Sequence, residues 1–275
     1  MIKHQRLVTG LLVAGGWLLL LVKGPFWLFW LVFVGLGTLA LNEYFAMTLA
    51  RHSKYDRATG TLLGLFPLLS AYEGDPETVS AALFIALFFL IVYLLTRYPS
   101  LARADKGMNG FEILMRLGFG IFYVGFSFAH FSLLWTMNGG KYWLILLTVI
   151  TVFSDSAAYY TGRYLGRHKL APAISPGKTI EGMLGGLIGS IIAAIIVRLM
   201  FFPGFNMMTM VILTVFLSMV GVMGDLTESV IKRSMNVKDS GNILPGHGGV
   251  LDRLDSLMIA TPVLFYMIHF GILGY

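Results

Sequence analysis

The chain contains no cysteine. Disulfides, thiolate metal sites and cysteine nucleophiles are therefore excluded. Any bound metal must be held by carboxylate, carbonyl, hydroxyl or imidazole, which favours hard cations such as Mg²⁺. Charge is also scarce, at 12% of 275 residues, where a soluble domain carries about 25%. Hydrophobic residues make up 57% of the chain and the mean hydropathy is +0.78. These values exclude an ordinary soluble domain and describe an integral membrane protein. Acids are scarcer than bases, giving a net charge of +6. In a membrane protein such a surplus reflects the retention of basic loops in the cytoplasm, so no nucleic-acid partner is expected. No G-x-S-x-G elbow exists either, so His247-Gly-Gly is not read as a lipase oxyanion loop.

A bilayer core takes roughly 20 apolar residues per helix. The apolar runs predict an all-α protein with about nine transmembrane helices, near 7–22, 26–41, 58–72, 79–96, 114–136, 142–161, 183–202, 207–224 and 256–273. Pro25, Asn42, Pro76, Asn138, Pro203 and Asn206 fall in the breaks, as turn residues should. The third run is the weakest and is short enough to be re-entrant. Nine spans put sixteen basic residues on one side and two, Lys23 and Lys141, on the other. Without the third span the division falls to twelve against six. The stronger asymmetry favours nine spans with a cytoplasmic amino terminus. The first run lacks a good small-x-small cleavage site before Lys23-Gly-Pro and is read as a retained helix.

No internal repeat is evident. Polar residues are unevenly placed, with plain loops before residue 150 and two long cytoplasmic loops after it, 162–182 and 225–255. The reading is therefore a scaffold of membrane helices over 1–150 and a catalytic membrane region over 151–275.

Asp155 lies inside an apolar run, where an acid costs roughly 2.5–3.5 kcal/mol on insertion scales. It is either a structural carboxylate paired to a base or a residue lining a hydrophilic pocket. In loop 162–182, Gly177-Lys178-Thr179 resembles the end of a P-loop. The required earlier glycine is replaced by Pro172 and no buried strand precedes, so a nucleotide-hydrolase P-loop is excluded. A basic side chain and a hydroxyl among Gly and Pro can still hold a phosphate. If the eighth span continues as helix, Asp225, Glu228, Ser229 and Lys232 share one face. Asp252 and Asp255 share a face at the start of the last span, where the helix dipole favours carboxylates. Asp225 and Asp252 mark where the chain leaves and re-enters the membrane, so both can contribute to one site. Carboxylates for Mg²⁺, with Lys232, Arg233, Lys238 and Arg253 for phosphates, fit phosphoryl or nucleotidyl transfer. His247 is either a neighbour of phosphate or metal, or an organiser of its loop.

Residues 229–256, SVIKRSMNVKDSGNILPGHGGVLDRLDS, resemble the signature of the phosphatidate cytidylyltransferases, or CDP-diacylglycerol synthases. The pattern falls on Ser229, Lys232, Arg233, Lys238, Asp239, Pro245, His247, Gly248, Gly249, Asp252, Arg253 and Asp255. Asp155-Ser-Ala-Ala-Tyr159 and Ser175-Pro-Gly-Lys178-Thr179-x-Glu181-Gly182 resemble the family's upstream elements. The resemblance covers about the last 120 residues; the first 150 match only as hydrophobic spans.

The resemblance implies an enzyme that joins CTP to phosphatidic acid, yielding CDP-diacylglycerol and pyrophosphate. It implies a membrane homodimer in the bacterial cytoplasmic membrane with the active site facing the cytoplasm. Paired cations, Mg²⁺ and a second ion for which a monovalent cation is the candidate, would map to Asp225 and Asp252. Asp225, Lys232, Asp252 and Arg253 would be catalytic. Asp155, Ser175, Lys178, Thr179, Glu181, Ser229, Arg233, Lys238, Asp239, His247, Gly248, Gly249 and Asp255 would bind substrate. Two rivals share some of these features. A CTP-dependent polyprenol or phytol kinase would release CDP instead of pyrophosphate, and the Pro-x-His-Gly-Gly…Asp-Arg-x-Asp pattern argues against it. A transporter would place its charges near the midplane within repeated halves. The overlapping pairs Gly182/Gly186 and Gly185/Gly189 are read as close helix packing within one subunit.

Overall fold

The computed structural model describes residues 2–50, 54–101, 110–243 and 248–274. Pro245, Gly246 and His247 lie outside them. Helices dominate: α1 (Ile2–Lys23), α2 (Phe26–Thr48), α3 (Lys54–Ser70), α4 (Pro76–Leu101), α5 (Gly110–Gly120), α6 (Ser127–Thr136), α7 (Gly140–Leu165), α8 (Ile180–Phe201), α9 (Met207–Ser234) and α10 (Leu251–His269). Among the described residues six helical stretches are long and apolar enough to cross a membrane. They are 26–48, 76–99, 110–136, 140–165, 180–201 and 207–234.

The chain forms two compact units. The first holds Met1–Thr136 and Asp239–Asp252, and the second holds Met137–Lys238 and Arg253–Tyr275.

In the first unit, α2 runs through the break expected at Asn42 and ends at Thr48. Asn42 is therefore not a turn residue. Glu43 continues the helix and is buried. An aromatic stack of Phe29, Phe33, Phe131 and Trp135 joins α2 to α6, with the Phe29 and Trp135 rings 4.1 Å apart. The weak third run becomes α3, 17 residues long. At 1.5 Å per residue this is about 25 Å. Its glycines admit close neighbours: a Cβ at Gly64 would meet Leu41 at 2.7 Å, and one at Gly60 would meet Phe45 at 2.8 Å. The stretch 110–136 is interrupted by a π-helical segment, Ile121–Phe126. A Cβ at Gly125 would lie 2.5 Å from the Gly64 carbonyl oxygen, so the irregular turn sits backbone to backbone on α3.

In the second unit, α8 packs along α7 through the four glycines singled out above. A Cβ at Gly182 would lie 2.9 Å from the Ala158 carbonyl, and one at Gly186 2.9 Å from that of Ser154. Cβ atoms at Gly185 and Gly189 would run into Thr161 and Ala157. The two G-x-x-x-G pairs therefore serve packing within the subunit. Asn206 caps α9, its Oδ1 accepting from the N–H groups of Met208 and Thr209 at 2.8 and 3.1 Å.

An all-α chain was expected, and the structure adds a small antiparallel hairpin of β1 (Lys169–Ala171) and β2 (Ser175–Thr179). Pro172 lacks an N–H and suits the turn, which Ile174 closes by donating to the Ala171 carbonyl at 3.1 Å. The long polar loops are shorter than expected. Helix α7 persists to Leu165, α9 persists to Ser234, and α10 begins at Leu251.

Candidate active site

The second unit encloses a cavity of about 450 Å³ whose lining includes Asp155, Tyr159, Arg163, Lys178, Thr179 and Asp225. Each element contributes for a local reason. Asp155 projects from α7 into the opening rather than into a sealed core, so its acid remains reachable by water. This favours the pocket-lining reading of Asp155. Helix α9 continues past the expected span end and carries Asp225 on its last turns. The hairpin presents Ser175 and Lys178.

Lys178 Nζ lies 2.5 Å from Asp225 Oδ2, and the two side chains retain 25% and 28% of their exposure. The pair is thus accessible and its charges are open to exchange with a ligand. Ser229 Oγ donates to Asp225 Oδ1 at 3.4 Å. The Asp155 carboxylate feels the charges of Asp225, Lys178 and Arg253. Asp255, just past the first turn of α10 and ahead of the expected span 256–273, is in the field of both Asp225 and Asp155. Burial, with those like charges, pushes its carboxyl above the usual range. Acids grouped in this way favour any ligand that brings positive charge.

Other expected residues have local partners. Lys232 Nζ donates to the fully buried Glu228 Oε2 at 2.9 Å, so its charge is partly committed to its own helix. Arg233 is exposed, with Nε 3.5 Å from the Ile174 carbonyl at the hairpin turn. Thr179 caps α8, its Oγ1 accepting from Gly182 N at 3.1 Å. Glu181 Oε2 accepts from the N–H groups of Arg167 and His168 at 3.0 and 3.1 Å, and His168 Nδ1 lies 2.6 Å from Oε1. Glu181 therefore organises the loop that carries Lys178. Lys238 is exposed at the end of this unit's 137–238 segment.

The remaining signature residues belong to the first unit. Asp239 is exposed. Asp252 Oδ2 accepts from Ser240 N, Ser240 Oγ and Gly249 N at 3.0, 2.9 and 2.8 Å. Gly248 has φ +83°, and a Cβ there would lie 2.6 Å from Asp252 Oδ2. Here glycine is required by both conformation and space. His247 falls outside the described residues.

Sequence reasoning missed Glu43. It was placed just past a helix end, yet it is 5% exposed and accepts hydrogen bonds from the 240–251 turn. A lone acid within an otherwise apolar stretch was the available signal.

The cytidylyltransferase family model matches residues 4–271. A phosphatidate cytidylyltransferase of Bacillus subtilis is 35% identical over 266 residues, 96% of this chain and 97% of that protein. One from Staphylococcus epidermidis is 33% identical over 94% of this chain and 96% of its own length. One from Staphylococcus haemolyticus is 42% identical over 144 residues, 52% of this chain and 54% of its own. The match takes in the amino-terminal helices that the signature leaves uncovered, and with that span the chain belongs to the cytidylyltransferase family.

Proposed function

We propose that this protein is a phosphatidate cytidylyltransferase that makes CDP-diacylglycerol and pyrophosphate from CTP and phosphatidic acid. Near full-length similarity to named phosphatidate cytidylyltransferases carries this reading. The open cavity with an acid and an ammonium in contact supports it chemically.

The lipid phosphate is itself an anion and needs little help from a base to attack the α-phosphorus of CTP. The barrier lies in bringing several negative charges together and in aligning two reactants of opposite solubility. Lys178, with Arg253, Arg233 and Lys238, would hold phosphates. Ser175, Thr179, Ser229 and Asp239 would supply polar contacts, and Gly248, Gly249 and His247 would shape the turn. Lys232 would act while anchored by Glu228. Asp155 and Asp255 would set the field around Asp225.

Among the described residues no three acids or histidines converge as a metal cage. Mg²⁺ is usually held by one or two carboxylates together with substrate phosphates. Asp225 at an open cavity suits that donor set, and Asp252 is the second ligand we assign. When bound, Mg²⁺ would neutralise charge on the reacting phosphates. A second cation, with a monovalent ion as the candidate, belongs to the same proposal.

We place the chemistry in 151–275 and the scaffold in 1–150. The topology we favour has nine spans, a cytoplasmic amino terminus and a homodimer in the bacterial cytoplasmic membrane. The active site would face the cytoplasm, where basic loops concentrate.

The test uses purified protein in detergent with phosphatidic acid, Mg²⁺ and α-labelled CTP. Label entering the lipid, with pyrophosphate released in step, is the expected result. Transfer of γ-label to a prenol, with the lipid unlabelled from the α-position, would instead make the protein a kinase.

A further inference from the structure

Glu43 sits on α2, almost 200 residues from the turn it holds. Its Oε1 accepts from Val250 N at 3.0 Å. Its Oε2 accepts from Leu251 N at 2.9 Å and lies 3.3 Å from Ser240 Oγ. Ser240 in turn gives both its N–H and its hydroxyl to Asp252 Oδ2, at 3.0 and 2.9 Å. The hydroxyl has one proton, so the shorter contact to Asp252 takes it and Glu43 bears on the same oxygen. At and just before the start of α10, Glu43 takes the N–H groups of Val250 and Leu251, and Asp252 takes that of Gly249.

Glycines make this closeness possible. A Cβ at Gly241 would lie 2.6 Å from Glu43 Oε1, and one at Gly249 would collide with Glu43 Oε2 and Ser240 Oγ. The turn is wrapped around the carboxylate with no room for a side chain. An apolar plug would leave the Val250 and Leu251 N–H groups without an acceptor, and the buried acid is tolerated because these donors surround it. What the carboxylate adds is direction. It fixes the Val250 and Leu251 N–H groups and lies against the Ser240 hydroxyl, and so holds the turn whose Ser240 and Gly249 donors orient Asp252.

We propose that Glu43 is a positioning residue for Asp252: it clamps the 240–251 turn so that the Asp252 carboxylate is held in one orientation. The proposal rests on the cytidylyl-transfer reading for its kinetic part and on geometry alone for the clamp.

Glu43→Gln tests it. The amide offers one acceptor oxygen, and its nitrogen would face an N–H donor. Hydrogen exchange of the 249–251 amides, measured on the full-length protein in detergent, should become at least about tenfold faster. The kcat for labelling lipid from α-labelled CTP should fall about 10- to 100-fold, the usual cost of losing a residue that orients a ligand. The KM for phosphatidic acid should stay within about twofold, and raised Mg²⁺ should restore part of the activity. A kcat within about twofold of wild type, or a lost kcat with unchanged exchange, overturns the proposal. If Glu43→Gln does not fold, Ser240→Ala decides: a lowered kcat with faster exchange supports the clamp, and unchanged values overturn it. Failure of the wild type to label lipid sinks the cytidylyl-transfer reading, while the exchange result still judges the clamp.

Discussion

In the unit built from Met1–Thr136 and Asp239–Asp252, buried acids are enclosed by their donors. In the unit built from Met137–Lys238 and Arg253–Tyr275, acids of the same kind line an open cavity. Asp56 illustrates the first case. It is 2% exposed, takes the Tyr93 hydroxyl at 2.5 Å and lies 3.3 Å from Arg97 Nη2. Glu43 is similar: it is 5% exposed and accepts from the Val250 and Leu251 N–H groups at 3.0 and 2.9 Å. Asp225 illustrates the second case, with its lysine partner and its own carboxylate both reachable by solvent. An enclosed ion pair has no surface left for a ligand, whereas an exposed pair can give up its internal partner to one. The difference separates Asp56 and Glu43, enclosed by their donors, from Asp225, which a ligand can reach.

The largest effect should come from Asp225→Asn. Turnover should fall about 100- to 1,000-fold, the scale of losing one charge-stabilising group from a reaction centre. Thermal unfolding should shift little, because a half-exposed pair contributes about 0–1 kcal/mol. Asp252→Asn should also abolish most turnover. Full activity in either variant would remove that carboxylate from the metal role. Asp56→Asn should show the opposite profile. Losing the charge that faces Arg97 and the charged acceptor of the Tyr93 hydroxyl should cost about 1–3 kcal/mol of stability. Activity per folded molecule should be unchanged. A catalytic defect without a stability loss at Asp56 would break the distinction between the two units.

A smaller effect is expected at the packed face of α8. Gly186→Ala places a methyl 2.9 Å from the Ser154 carbonyl. Overpacking of this kind costs about 1–3 kcal/mol, with α7 displaced locally. Because Ser154 precedes Asp155, the variant should also raise the KM for CTP modestly. A melting curve identical to wild type would show that α7 yields freely at this point.

The helical membrane character was legible in the sequence because it is a matter of apolar run length. Asp225 and Asp155 stand out as charges inside or beside apolar runs and Lys178 through its Gly-Lys-Thr motif, and all three line one cavity. Helix ends were less legible. Asn42 reads as a turn residue, and only the donors from the distant 240–251 turn explain why α2 continues through Glu43. Propensity is local, and a partner some 200 residues away overrides it. The hairpin at 169–179 was missed for a related reason: a short two-stranded ribbon has no hydrophobic period to reveal it. Thr179 and Glu181 were read as phosphate and substrate contacts from motif position. Their hydrogen bonds show that each also has work within its own loop.

Thr179 offers the smallest and sharpest test, because it lines the cavity and caps α8 at once. Its methyl also packs where Gly166 leaves room, since a Cβ there would lie 2.8 Å from Thr179 Cγ2. Thr179→Val keeps that shape and removes only the hydroxyl. Loss of an N-cap costs about 1 kcal/mol. Thr179→Ser should keep the cap and lose only the methyl contact. If valine lowers stability by that amount and serine keeps full kcat, the hydroxyl belongs to the helix, like the enclosed acids of the other unit. If valine instead lowers kcat at unchanged stability, the same hydroxyl reaches the substrate. The motif position would then have been the better guide, and an internal hydrogen bond would not by itself mark a group as structural.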